Sequence, residues 1–172
     1  MKITIMKSLR KILTNGLLVL ALSFGLTMSA TAMSASNFEY DKALAEQGDS
    51  FYQNYLGYYY EDGIGVRQDY SKAFYWFKKA ADQGYSSGQF NVAVAYAEGM
   101  GVRQDYAKAF YWFKKAAAQN HVATQIYLAT MYEGGKGVSQ NKSVAKEWYG
   151  KSCDNGNQDG CDDYKRLNLQ GY

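Results

Sequence analysis

The chain has 172 residues, 47% of them hydrophobic and 16% aromatic, with 17 tyrosines, two cysteines, one histidine and no proline. That composition excludes a disordered chain, and one histidine with two cysteines falls short of a four-ligand zinc site. The net charge of +3 comes from the first segment: residues 1–32 hold Lys2, Lys7, Arg10 and Lys11 and no acid, which leaves 15 basic and 16 acidic residues beyond it, so a nucleic-acid function loses its electrostatic support.

Behind the basic start, Gly16–Leu26 is apolar and Ala30-Thr31-Ala32 offers small residues for cleavage. This order predicts a secretory signal peptide over 1–32, with an apolar run too short for a spanning helix. The expected product is periplasmic or secreted, with no stable membrane insertion after cleavage. Met33–Asn37 reads as a loose tail, and the rest as one domain.

Phe38–Gln47 is the first helical pattern, with Tyr40 in a slot that later copies fill with tryptophan. From there the chain repeats. Gly65–Ala81 and Gly101–Ala117 match at 16 of 17 positions, the exception being Ser71 against Ala107. A third copy keeps Gly137, Val138, Ala145, Trp148 and Lys151 in register, and Lys142 replaces a tyrosine. The period is 36 residues. Repeats of this length stack one supersecondary unit on the next. The expected division is therefore 33–48 for the tail and an N-terminal half-repeat, then repeats at 49–84, 85–120 and 121–156. A capping helix closes the chain at 157–172.

Each repeat contains two helical patterns. First helices are expected at Ser50–Glu61, Ser86–Glu98 and Val122–Glu133, with Gly57, Ala93 and Ala129 keeping one slot small. Gln53, Gln89 and Gln125 share another slot. Second helices follow Asp69, Asp105 and Asn141, which suit N-caps, and end at Gly84, Asn120 and Gly156, which suit left-handed C-terminal positions. Trp76, Trp112 and Trp148 fall on their apolar faces and read as core. Lys72, Lys79, Lys108, Lys115 and Lys151, with Arg67 and Arg103, read as a solvated outer face. The last helix, Gln158–Leu167, ends in polar residues as a terminal cap should. Two cysteines in an exported chain favour a disulfide, Cys153–Cys161, across a short loop worth about 2–3 kcal/mol.

The set Tyr60-x-x-Gly63-x-Gly65-Val66, Asp69-x-x-Lys72-Ala73-x-x-Trp76 and Lys79-Ala80-Ala81, repeated every 36 residues, resembles the Sel1-like repeat family, a relative of the tetratricopeptide repeats. The resemblance covers about residues 38–167 and implies an all-α, right-handed α-solenoid of antiparallel helix pairs, used mostly as an adaptor in protein assemblies. The cysteine pair also looks like the cysteine-rich secreted branch of that family, although the branch's fuller set of disulfides is missing.

In that family the first helices line the concave side. The positions where copies 1 and 2 diverge, Phe51, Tyr55, Tyr58 and Asp62 against Ser87, Asn91, Val94 and Glu98, are spaced four, three and four and share one helix face. Copy 3 offers Ala123, Tyr127, Thr130 and Gly134. The expected partner-binding stripe is Phe51, Tyr55, Tyr58, Asp62, Asn91, Val94, Glu98, Tyr127 and Thr130. Packing between helices is the competing account of these residues.

Catalysis has little to draw on. His121 begins the third copy and is expected to be exposed. The cysteine-rich branch has been associated with penicillin binding or β-lactamase activity, which makes a hydrolase the alternative reading. S-x-x-K occurs at Ser8–Lys11, Ser139–Lys142 and Ser143–Lys146, but the companion S-D-N and K-T-G elements are absent. The expectation is a monomeric scaffold for a protein or peptide, with no catalytic residue, metal or cofactor.

Overall fold

Short polar residues and left-handed turns divide the sequence into helices, as the computed structural model of residues 30–172 shows. They are α1 (Ala30–Glu46), α2 (Ser50–Asp62), α3 (Tyr70–Asp82), α4 (Ser86–Glu98), α5 (Tyr106–Ala117), α6 (Thr124–Gly134), α7 (Lys142–Asp154) and α8 (Gln158–Leu169). No strand occurs among the described residues. The signal-peptide reading and Ser8–Lys11 fall essentially outside them. Residues 34–172 form one compact unit. No described helix is long and apolar enough to cross a membrane.

Asp69, Asp105 and Asn141 cap α3, α5 and α7, accepting from the backbone N–H of Lys72, Lys108 and Val144. Gly84, Asn120 and Gly156 take positive φ, Asn120 at 60°. The turn glycines Gly101 and Gly137 are also positive in φ, and a Cβ on either would collide with the backbone carbonyl of Tyr70 or Tyr106, one repeat earlier. Glycine is thus required twice over: for its backbone and for the closeness of the next repeat.

Helices pack on their neighbours in chain order, and α2 also touches α4. The central core joins Phe77, Val92, Ala109, Trp112, Phe113 and Leu128; flanking clusters lie around Leu56 and Tyr149. An amide pair closes each repeat at one end, tying its first helix to the end of its second. Gln83 Nε2 donates to Gln53 Oε1, Gln119 to Gln89, and Asn155 Nδ2 to Gln125.

Several expectations change. Met33–Asn37 is helical within α1, in a stretch that holds neither glycine nor proline to break it. Phe38, not Tyr40, docks α1: Phe38 meets Tyr59 and Tyr60 edge-on, while Tyr40 is 65% exposed. Burial, with a hydrogen bond to Asp41, pushes the Tyr59 phenol up to about 12.

The third repeat starts late, at Thr124 rather than Val122. Gly88 and Gly160 sit so close to the preceding helix that a Cβ would lie 2.8 Å from Ala81 N or Ser152 Cβ. The same slot holds Thr124, fully buried, and its bulk accompanies a sparser contact of α5 with α6 than of α3 with α4. Phe90, Phe113, His121 and Tyr127 fill the space. His121 is therefore half-buried, stacked 4.8 Å from Phe90 with Nδ1 3.1 Å from Thr124 Oγ1.

Candidate functional site

The first helix α2 touches the next first helix α4 directly, a contact that α4 with α6 and α3 with α5 do not match. The resemblance to the Sel1-like family implies that α2, α4 and α6 face the concave side, which makes their surface the candidate site. The residues that join α2 to α4 are polar. Tyr58 Oη donates to Asn91 Oδ1 at 3.2 Å, and Asn91 Nδ2 to Asn54 Oδ1 at 2.9 Å.

On α2 the stripe is open. Phe51 and Tyr55 are 49% and 46% exposed and stack on one another at 5.6 Å. Tyr85, which the spacing argument did not single out, meets Phe51 edge-on at 6.5 Å. Tyr58 is half in the wall, its ring 5.2 Å from Phe77, and Asp62 is exposed. The bulk of Phe77 is accommodated because slot 57 is glycine: a Cβ there would collide with the ring.

On α4 the stripe turns inward. Asn91 is buried, its amide committed to Asn54 and Tyr58, and Val94 packs against the central core. Only Glu98, at the helix end, is exposed. On α6, Tyr127 presents one face and stacks the other on Phe113 at 4.9 Å. Thr130 is exposed, its hydroxyl donating to the Tyr127 carbonyl. The open surface thus comprises Phe51, Tyr55, Tyr58, Asp62, Glu98, Tyr127 and Thr130, and Asn91 belongs to its foundation. Asn54 was not legible as part of this network, because the other copies hold Phe90 and Ile126 in its slot.

The outer layer is solvated as expected, with Lys72, Lys79, Lys108, Lys115, Lys151, Arg67 and Arg103 all exposed, and its lysines also lie over aromatic rings. Lys79 folds over Tyr75 and Trp76, Lys115 over Tyr111 and Trp112, and Lys151 over Trp148, each ammonium 4.2–5.2 Å from the rings. Trp112 is buried; Trp76 and Trp148 are half-buried beneath their lysines. Such cation–π contacts contribute about 0.5–1 kcal/mol at exposed sites.

At the C-terminal end, Cys153 and Cys161 form a disulfide with Cα atoms 4.5 Å apart. Arg166 grips Glu133 with two hydrogen bonds of 2.8 and 2.9 Å and holds its carboxyl below the usual range. Burial and the same carboxylate push the Tyr149 phenol up. Of the S-x-x-K pairs, Ser139 and Ser143 are exposed. Lys142 Nζ lies 3.2 Å from Tyr172 Oη, and Lys146 bonds the Tyr172 carbonyl. No group of three or more potential metal ligands gathers among the described residues.

The Sel1 repeat model matches residues 50–85, 86–121 and 122–157. Among solved structures, the chain is similar to c5321, described as a protective antigen present in uropathogenic Escherichia coli strains displaying an SLR fold. The identity is 39% and the TM-score 0.71, over 73% of this chain and 27% of that one. A Sel1 repeat protein from Oxalobacter formigenes is 28% identical with a TM-score of 0.71, over 82% and 60% respectively. Helicobacter pylori cysteine rich protein B shares the fold at 22% identity and a TM-score of 0.59, over 77% of this chain and 96% of that one. The chain thus spans 27% and 60% of the first two proteins' lengths. No curated protein matches it.

Proposed function

This chain belongs to the Sel1 repeat family, a family that commonly mediates protein–protein interaction, and from that premise we propose that it is an exported scaffold holding a protein or peptide in the groove of its first helices. The observation that carries this reading is the uncovered aromatic surface of α2, where Phe51 and Tyr55 are about half exposed and stacked. Rings fixed in this way offer large contact area at little entropic cost. Solvated lysines would have served solubility better, yet α2 carries none. Export is supported by the leader-like order of residues 1–32 and by the disulfide, which persists in oxidising compartments.

The hydrolase alternative gains no support from the geometry, since Lys142 and Lys146 are both engaged by Tyr172. The groove is tested by capture from the cell envelope, with the wild-type chain and Tyr55→Ala as paired baits. A protein retained by the first and lost from the second supports the reading. Equal retention by both overturns it.

A further inference from the structure

The distribution of charge between the two helix layers specifies the chemistry of the groove's occupant. No lysine or arginine occurs in α2, α4 or α6, whose only charged residues are Glu61, Asp62, Glu98 and Glu133. The second helices α3, α5 and α7 carry three lysines each. The cations of each repeat are thus concentrated on the layer facing away from the groove.

Asp62 and Glu98 are exposed, and no ion pair engages either one among the described residues. Arg67 and Arg103, in the turns that follow, lie outside ion-pair distance of both as well. Glu133, in contrast, is neutralised within the chain by Arg166. The two free carboxylates stand where α2 and α4 end, at the negative poles of those helix dipoles. The faces of Phe51 and Tyr55 are negative through their quadrupoles. Helix ends, carboxylates and ring faces all have one sign, and nothing on the first helices balances them.

We propose that the groove takes a cationic peptide segment, with an apolar or aromatic side chain against Phe51 and Tyr55 and lysine or arginine opposite Asp62 and Glu98. The proposal rests on the groove reading and adds the partner's charge and spacing. Asp62 follows Phe51 by eleven residues on one helix face, a rise of about 16 Å. An extended segment covers that distance in about five residues. The occupant therefore carries its apolar anchor and its basic group about five residues apart.

The test uses the purified full chain and two fluorescent peptides with a Trp-Leu anchor, followed about five residues later by Lys-Lys in one and Glu-Glu in the other. The lysine peptide is expected to bind at least about tenfold more tightly at low ionic strength, with a margin that narrows as salt is added. The double variant Asp62→Lys/Glu98→Lys should reverse the preference, and Asp62→Asn/Glu98→Gln should erase it. Both substitute exposed side chains, and unchanged melting temperatures would show the fold intact.

Three results overturn the proposal: equal or tighter binding of the glutamate peptide, a lysine preference that survives charge reversal, or no binding of either peptide at about millimolar concentration. Failure of the groove itself has a different signature. It is a lysine preference that responds to charge reversal but not to Tyr55→Ala or Phe51→Ala, which would put the acids in a site that the aromatic stripe does not share.

Discussion

The hydroxyl of Tyr58 donates to Oδ1 of Asn91, at 3.2 Å and 33 residues away, and so fixes the first helix of one repeat to that of the next. Asn91 is 8% exposed and passes the bond on to Asn54, itself 5% exposed. The open aromatic face of α2 therefore stands on a buried polar network.

That network makes the first prediction. Asn91→Leu leaves the buried amide of Asn54 without its partner, and should cost about 1–3 kcal/mol of stability. The double variant Asn54→Leu/Asn91→Leu removes both polar groups and should recover part of the loss. Urea midpoints of the two variants decide it. A double variant less stable than the sum of the single ones would show that the amides are held by something other than each other.

His121 supplies the second. Burial lowers its pKa below the usual imidazole value, so the unfolded chain takes up the proton more readily than the folded one. The corresponding stability is present above about pH 6.5 and is lost as the pH falls through that value toward the folded pKa. NMR titration of this single histidine should give a midpoint below about 6.5. His121→Phe keeps a ring beside Phe90 and should flatten the acid limb of stability between about pH 7 and 5. A midpoint above the usual value would contradict the burial.

How much of this was readable from sequence divides along one physical line. The repeat register fixed local features, because caps and left-handed ends depend on a few neighbouring residues: Asp69, Asp105, Asn141 and Asn120 behave as their types require. Side-chain direction between helices was less legible. Asn91 has the same face position as Tyr55 and Tyr127, yet it is buried because Tyr58 and Asn54 come from another helix to meet it. Thr124 in a slot held elsewhere by Gly88 and Gly160 was visible as a difference between copies. Its effect, a late helix start and an aromatic cluster around His121, emerges only once two helices are brought together. The ring contacts of the lysines were hidden for a related reason: periodicity places Lys79 and Lys115 on the polar face, where they are exposed, but does not show their long apolar stems lying across neighbouring rings.

The disulfide gives the third prediction. Cys153 and Cys161 are eight residues apart and join α7 to α8, and α8 is otherwise held mainly by Leu167, the Gly160–Ser152 crossing and Arg166 on Glu133. Reduction should remove about 2–3 kcal/mol. In a stack of nearest neighbours the loss stays local. Hydrogen exchange should accelerate across Gln158–Leu169 while α2–α5 keep their protection. Uniform acceleration would mean that the solenoid unfolds as one unit.

The fourth prediction separates groove from core by pairing binding with stability. Tyr55 touches Phe51 and edges Tyr59, but its ring is 46% exposed, so Tyr55→Ala should scarcely shift thermal melting and should cost a captured partner about 1–3 kcal/mol of affinity. Trp112 is 7% exposed, within the central core, and Trp112→Ala should cost about 3–5 kcal/mol of stability. Tyr127 lies between these cases. Its ring is 36% exposed but stacks on Phe113 and meets Phe90 edge-on, so Tyr127→Ala should weaken both binding and folding. Tyr55 is therefore the decisive position. A Tyr55→Ala chain that melts far below wild type yet binds the captured partner normally would assign the aromatic stripe of α2 to packing, and the groove would lose the observation that carries it.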